Sequence, residues 1–306
     1  MTVPLPVGRA VTVEVPATSA NLGPGFDCYG LALDWYERVR LEVTEDGYTI
    51  DVSGEGADAI PRDESHLIIR SALVGLADLG LNAPGLALRC RNTIPHGRGL
   101  GSSSAAIVAG LALAAGLADR EPNEGWLLVH ANAIEGHPDN VAAAIYGGFV
   151  LAYEANGIQV ARGDVDPNVR AAVFIPDAAV ATDAARRLLP DVVPLVDAAA
   201  NSGRAGLLVH ALARDPDRLL DATHDWLHQG YREPAMPRSY ELMTTLRGQG
   251  YAAMISGAGP SVLVLGRDRR LDKLAELPVP GFEMRLLDVG HGARTDTAPP
   301  VPGRFD

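Results

Sequence analysis

Three glycines and three consecutive serines lie within residues 95–106, Pro95-His96-Gly97-Arg98-Gly99-Leu100-Gly101-Ser102-Ser103-Ser104-Ala105-Ala106. A glycine loop that runs into a helix has the chemistry of an anion site. The first N–H groups of a helix have no partners within it and carry the positive end of its dipole. Glycines let the backbone close around phosphoryl oxygens, the hydroxyls of Ser102, Ser103 and Ser104 add donors, and His96 and Arg98 add polar or charged contacts. The lysine of the GxxxxGK[ST] pattern is missing, which excludes a phosphate loop of the NTPase type. Taken alone, the stretch equally fits a glycine turn with a serine cap before a buried helix.

Two more polar clusters interrupt apolar sequence. Glu135-Gly136-His137-Pro138-Asp139-Asn140 offers carboxylate oxygens. Mg²⁺ on a nucleotide uses one or two of these, with water and phosphate completing the shell. Glu135, ending an otherwise apolar helix, is the better metal candidate, and His137 alone does not supply a zinc site. The alternative is a polar turn with Asp139 or Asn140 capping the next helix.

Near the start, Thr18, Ser19, Asn21 and Asp27 stand among apolar residues. Asn21 can donate and accept, and the Asp27 carboxylate suits an ammonium group; an Asn turn with a capping Asp is the other reading. Arg186, Arg187 and Arg232, in polar loop neighbourhoods, suit a bidentate hold on a substrate carboxylate, or else surface salt bridges. Ser256-Gly-Ala-Gly-Pro-Ser261 is a turn that can also close over a ligand. Cys28 has no histidine or basic neighbour in sequence and reads as structural.

These residues need a frame. Alternating valines at 11, 13 and 15 predict a strand halted by Pro16, and residues 36–54 predict two strands joined as a hairpin at Asp46-Gly47. A helix ending at Gly80, a strand up to Ile94, a helix from about Ser103 and another over 123–134 follow. A run of turn formers at 157–167 marks a domain boundary. Beyond it come strands at 170–176, 251–256, 261–266 and 282–289, with helices over 182–189, 192–213, 216–228 and 237–249. Residues 294–306, with three prolines and no periodicity, are expected to be a disordered tail. The mixture gives an α+β class.

With 306 residues, 47% hydrophobic, the chain can bury one large core or two packed ones. A net charge of −12 argues against nucleic acid or an anionic membrane as partner. Cys28 and Cys90 are the only cysteines, too few for a disulfide framework. The longest apolar run, 105–118, is short for a membrane span, and the start lacks a basic-then-apolar leader. The expectation is a soluble, cytoplasmic protein.

Four stretches in order resemble the GHMP kinases and, within that superfamily, the homoserine kinases: VPATSANLGPGFDCYGLAL at 15–33, PHGRGLGSSSAA at 95–106, EGHPDNVAAAIYGG at 135–148 and SGAGPSVLVL at 256–265. The likeness spans about 11–290. It implies a two-domain fold: a ribosomal-protein-S5-like N-terminal domain (1–165) and a ferredoxin-like C-terminal domain (166–293), with the site between them. It also implies a homodimer, ATP and Mg²⁺ as cofactors, and phosphorylation of L-homoserine to O-phospho-L-homoserine in threonine biosynthesis. By motif, Asn21 and Asp27 would contact the amino acid, and Pro95 through Ala105 would surround the ATP phosphates. Ser103 and Glu135 would hold Mg²⁺, with His137, Asp139 and Asn140 on the substrate side. ATDAARRLLP places Thr182 and Arg186 near the substrate, LHQGYRE makes Arg232 a second carboxylate-binding arginine, and Gly257 to Gly259 would close the site. Ala181 and Gly230 replace the usual serine and proline, and His66 stands where relatives carry Asn before Leu, at the adenosine contact.

The lone lysine, Lys273, lies outside every motif. The expected mechanism therefore uses no essential side-chain base, and the alcohol proton leaves to phosphate or water. The competing readings are a GHMP kinase for another hydroxylated metabolite and a non-catalytic ATP-binding protein on the same scaffold.

Overall fold

The computed structural model describes residues 2–120, 123–275 and 278–296. A short strand β1 (Val3–Pro4) precedes β2 (Ala10–Ala20), whose Val11, Val13 and Val15 point into the core. Pro16 does not halt β2. The register shifts between Pro16 and Ala17, and this bulge absorbs the missing N–H so that pairing with β3 (Tyr29–Thr44) resumes.

The hairpin expected at Asp46-Gly47 is not formed either. The turn is there, but β4 (Gly47–Gly54) pairs with a later strand instead of with β3. After α1 (Leu67–Asp78) and β5 (Leu81–Asn82), strand β6 (Gly85–Asn92) enters between them, antiparallel to β3 and parallel to β4. Gly85 makes room for it: a Cβ there would sit 2.3 Å from the Asp46 carbonyl.

The helices α2 (Ser102–Leu117), α3 (Glu124–Glu135) and α4 (Pro138–Tyr146) cover this sheet. Helix α2 is buried almost all round, which its run of Ala, Gly and Leu permits. Its N-cap is Gly101, at φ 69°, with no side-chain cap, so the serine cap does not form. Hairpin β7 (Phe149–Ala155) and β8 (Gly157–Gly163) completes the sequential part of the sheet.

The second sheet begins at β9 (Val169–Pro176) and continues after α5 (Thr182–Arg186), α6 (Leu195–Ala213), α7 (Leu219–Ala222) and α8 (Pro237–Gly248). Strands β10 (Ala252–Ile255) and β11 (Val262–Arg267), helix α9 (Asp268–Ala275) and strand β12 (Phe282–Leu287) finish it. Its order β10-β11-β9-β12, all antiparallel, is the ferredoxin-like arrangement.

The helix expected over 216–228 shrinks to a single 3₁₀ turn and the four residues of α7. The Asp225 carboxylate accepts from the N–H groups of Leu227, His228 and Gln229 and folds the rest into a capped turn. The expected tail is also ordered at its start. Strand β13 (Arg294–Asp296) pairs with β2 and closes the first sheet, β13-β2-β3-β6-β4 with β7 on β3. Residues 297–306 lie outside the described residues. The sheets change over between Gly163 and Val169, and among the described residues no helix is long and apolar enough to cross a membrane.

Candidate active site

One cavity of about 430 Å³ runs along the seam between the sheets. Its middle is the glycine–serine loop. The Thr18 N–H donates to the Leu100 carbonyl at 3.0 Å, and Ser256 Oγ lies 2.6 Å from the Gly99 carbonyl. Gly99 has φ 70°, and a Cβ on it would meet the Ser256 carbonyl at 2.1 Å. The loop is thus clamped from both domains with carbonyls turned into neighbours, which leaves the unpaired amides at the start of α2 for an anion.

Pro95, His96, Gly97, Arg98, Gly99, Leu100, Gly101, Ser102 and Ser103 all line the cavity. Ser104 and Ala105 do not; both are buried in the first turn of α2. The Arg98 guanidinium is committed to backbone, donating to the carbonyls of Pro176, His96 and Asp177. It ties the loop to the second domain rather than offering its charge to a ligand.

Ser103 Oγ and Ser104 Oγ both donate to Glu135 Oε1, at 2.7 and 2.9 Å. The last turn of α3 therefore delivers its carboxylate to the first turn of α2. A hydroxyl and a carboxylate beside an anion loop form an oxygen set of the kind Mg²⁺ takes with nucleotide phosphates. Among the described residues no group of three or more His, Cys, Asp or Glu gathers to hold a metal without them.

Asp27 and Arg186 also line the cavity and form a two-bond ion pair, with Arg186 Nη1 3.0 Å from Oδ2 and Nη2 2.7 Å from Oδ1. Arg232 is buried beside them. Its Nη1 donates to His228 Nδ1 at 3.1 Å and to the Gly257 carbonyl at 3.2 Å, and its Nε has no partner among the described residues. Both guanidinium groups lie 5.6 Å from the Phe26 ring centroid. Burial, then the Arg186 charge, weakens the hold of Arg232 on its proton.

The remaining polar residues are fixed in place. Asn21, at φ 65°, accepts from the Asp27 N–H at 3.0 Å and donates to the Gly257 carbonyl at 2.9 Å. Its side chain thus builds the Asp27 turn. Asp139 Oδ1 accepts from the Asn140 N–H at 2.7 Å and lies 3.3 Å from His137 Nδ1, a contact that raises the histidine above its ordinary value. Asn140 Oδ1 accepts from Thr18 Oγ1 at 2.8 Å. Gly259 does not line the cavity, whereas Gly257 and Ala258 do. Thr182 starts α5, and its side chain lies outside the described ones.

Ile60, Pro61, Leu67 and Ile68 also line the cavity and offer apolar surface suited to a flat base. His66 joins them, its Nδ1 accepting from the Ile68 N–H at 3.3 Å as the N-cap of α1. Burial, then Arg62 and His96, lowers it to about 4, so the ring is neutral. The sequence reading missed Glu37, which lines the same cavity. The signal was its phase: Trp35, Glu37, Val39 and Leu41 are the buried alternate positions of β3.

Known proteins resemble this chain in sequence and fold. The family models "GHMP kinases N terminal domain" and "GHMP kinases C terminal" match residues 66–148 and 207–277. A homoserine kinase of Streptomyces avermitilis is 50% identical over 284 residues, 92% of this chain and 93% of that one. The chain belongs to the homoserine kinase family of GHMP kinases. Another family member, from Streptomyces coelicolor, is 51% identical over 272 residues, 88% of each chain. Among solved structures, the homoserine kinase of Cytophaga hutchinsonii superposes with a TM-score of 0.82 at 28% identity, over 94% of this chain and 97% of that one. Mevalonate diphosphate decarboxylase of Staphylococcus aureus shares the fold, with a TM-score of 0.69 at 13% identity over 94% of this chain and 98% of that one.

Proposed function

We propose that this chain is an ATP-dependent kinase that phosphorylates the side-chain hydroxyl of L-homoserine, giving O-phospho-L-homoserine for threonine biosynthesis. The observation that carries this reading is the pairing of Asp27 with Arg186, and Arg232 behind them, in the cavity that also holds the glycine–serine loop. Opposite charges preset side by side match the ammonium and carboxylate of a free amino acid.

In this reading the acceptor's ammonium takes Asp27, while its carboxylate takes Arg186 and the unpartnered Nε of Arg232. The hydroxyl then points along the cavity toward the loop. Asn21 and the Gly257–Gly259 backbone fix that geometry, and His137, Asp139, Asn140 and Thr182 border the acceptor. The amides of Gly99 to Ser104 and the Ser102 hydroxyl hold the phosphoryl oxygens as charge builds on them. Ser103 and Glu135 would hold Mg²⁺, which would supply further neutralisation of the phosphates. Asp139 spends only Oδ1, on the Asn140 N–H and near His137, but the motif segments carry no lysine to pair with it as a base, so we assign no essential base. An Asp139→Asn variant that folds and binds both substrates but turns over several thousandfold more slowly would refute that assignment.

The test is ADP release with L-homoserine, L-threonine, mevalonate and galactose as acceptors, each with and without Mg²⁺. Release with homoserine and Mg²⁺ far above the others supports the reading, and equal or greater release with mevalonate or galactose refutes it. We further propose that the enzyme acts in the cytoplasm, which cell fractionation tests, and that it is a homodimer, which light scattering of the purified chain tests.

A further inference from the structure

Glu37 is only 3% exposed, yet it lines the same cavity as Ile60, Pro61, His66, Leu67 and Ile68. A carboxylate in the core phase of a strand is costly unless its lone pairs are used. One oxygen is used: Oε1 accepts from the N–H groups of Thr93 at 3.2 Å and Ile94 at 3.1 Å, just ahead of the phosphate loop. The second oxygen makes no hydrogen bond among the described residues. Burial drives the carboxyl up to about 7 against the pull of those two N–H groups, so above that pH it is a carboxylate with a lone pair on Oε2 left for a donor.

What would satisfy Oε2 is a donor delivered by the ligand. In the ATP-dependent reading the triphosphate lies on the glycine–serine loop and the base on the apolar wall, which leaves the base's exocyclic amine or a ribose hydroxyl as the donor. We propose that Glu37 is a nucleotide-specificity residue, whose second carboxylate oxygen accepts a hydrogen bond from the exocyclic 6-amino group of adenine. This rests on the ATP-dependent reading above. Above about pH 7, where Glu37 is ionised, a base with a carbonyl at that position sets acceptor against acceptor, and a site built around a donor rejects such analogues strongly.

The neighbours are consistent with that assignment. Asn92 is spent on Glu55 and His96, donating to the Glu55 carbonyl at 3.0 Å and lying 3.3 Å from His96 Nε2. His66 uses Nδ1 within its own helix cap, leaving Nε2–H as a donor for a ring nitrogen or sugar oxygen. Glu37 therefore supplies the acceptor.

The experiment compares ATP, inosine triphosphate and purine riboside triphosphate, which lacks the 6-substituent, as donors to L-homoserine in the wild type and in Glu37→Gln. Gln keeps a carbonyl oxygen for Thr93 and Ile94 and turns an amide donor toward the base. For the wild type we expect KM for ATP at least about tenfold below that for either analogue. In Glu37→Gln we expect KM for ATP to rise at least about tenfold, kcat to stay within about twofold, purine riboside triphosphate to be unchanged and inosine triphosphate to improve. Equal use of ATP and purine riboside triphosphate by the wild type overturns the proposal without any variant. A uniform loss across all three donors in Glu37→Gln also overturns it, since that marks a purely structural carboxylate. A wild type inactive with every donor would instead refute the kinase reading.

Discussion

Arg186 and Asp27 satisfy one another through two hydrogen bonds, 2.7 and 3.0 Å long, joining the start of the second domain to the first turn of the N-terminal one. The pair is partly exposed, at 41% and 33%, so it adds little to stability. In the proposed function its value is in recognition. A zwitterion replaces each partner with the group it already matches, and a ligand with one charge alone leaves the other unpaired. Asp27→Asn should therefore raise KM for homoserine about tenfold to a hundredfold and leave KM for ATP within about twofold. Steady-state kinetics in both substrates checks this, and a parallel rise in both constants would contradict it.

Glu135 receives the hydroxyls of Ser103 and Ser104, and no other carboxylate is hydrogen-bonded to the first turn of α2 among the described residues. In Glu135→Gln we expect the Mg²⁺ concentration for half-maximal turnover to rise about tenfold or more, since the proposed shell would lose a charged protein oxygen. A Mg²⁺ titration at saturating ATP reads this. An unshifted curve would remove Glu135 from the metal site.

The clamp on the phosphate loop gives a prediction with an internal control. Gly99→Ala forces φ 70° on a side chain whose Cβ would lie 2.1 Å from the Ser256 carbonyl. Gly136→Ala imposes a similar φ of 87° with nothing within 4 Å. The second should cost about 1 kcal/mol, the strain alone, and the first at least about 2 kcal/mol more together with ATP binding. Urea unfolding and ADP titration of both variants decide it; equal losses would mean the clamp does nothing.

Glu37 predicts a pH dependence of stability. Its ordinary value is 4.5 and burial raises it to about 7 in the fold. Below 4.5 both folded and unfolded chains hold the proton and nothing is lost. Between 4.5 and 7 the unfolded chain releases it first, so stability falls as pH rises, with the full penalty present above 7. Glu37→Gln does not titrate. Relative to the wild type it should gain on the order of 3 kcal/mol between pH 4 and pH 8, measured by urea unfolding. A pH-independent difference would contradict the burial argument.

How much of this the sequence carried depended on whether a signal was local. The glycine–serine loop, the apolar helix behind it and the Asp46-Gly47 turn are local, and each is found where its residues predict. Strand pairing is not local: nothing between residues 36 and 54 shows that β6 will separate β3 from β4. The 216–228 helix failed because Asp225 offers three backbone N–H groups a competing acceptor. Arg98 and Asn21 carried the right residue types at the right place, but their atoms are spent on holding the site together. Glu37 was legible only as one charged residue in the inward phase of a strand.

The central claim is that this chain transfers a phosphoryl group to the side-chain hydroxyl of a free amino acid. The most direct measurement is ³¹P–¹H correlation NMR of the product formed by the purified chain from ATP, Mg²⁺ and L-homoserine. The account predicts a phosphomonoester coupled to the γ-methylene protons, formed in step with ADP. Inorganic phosphate as the sole new phosphorus species beside ADP, or no turnover at all, would contradict it.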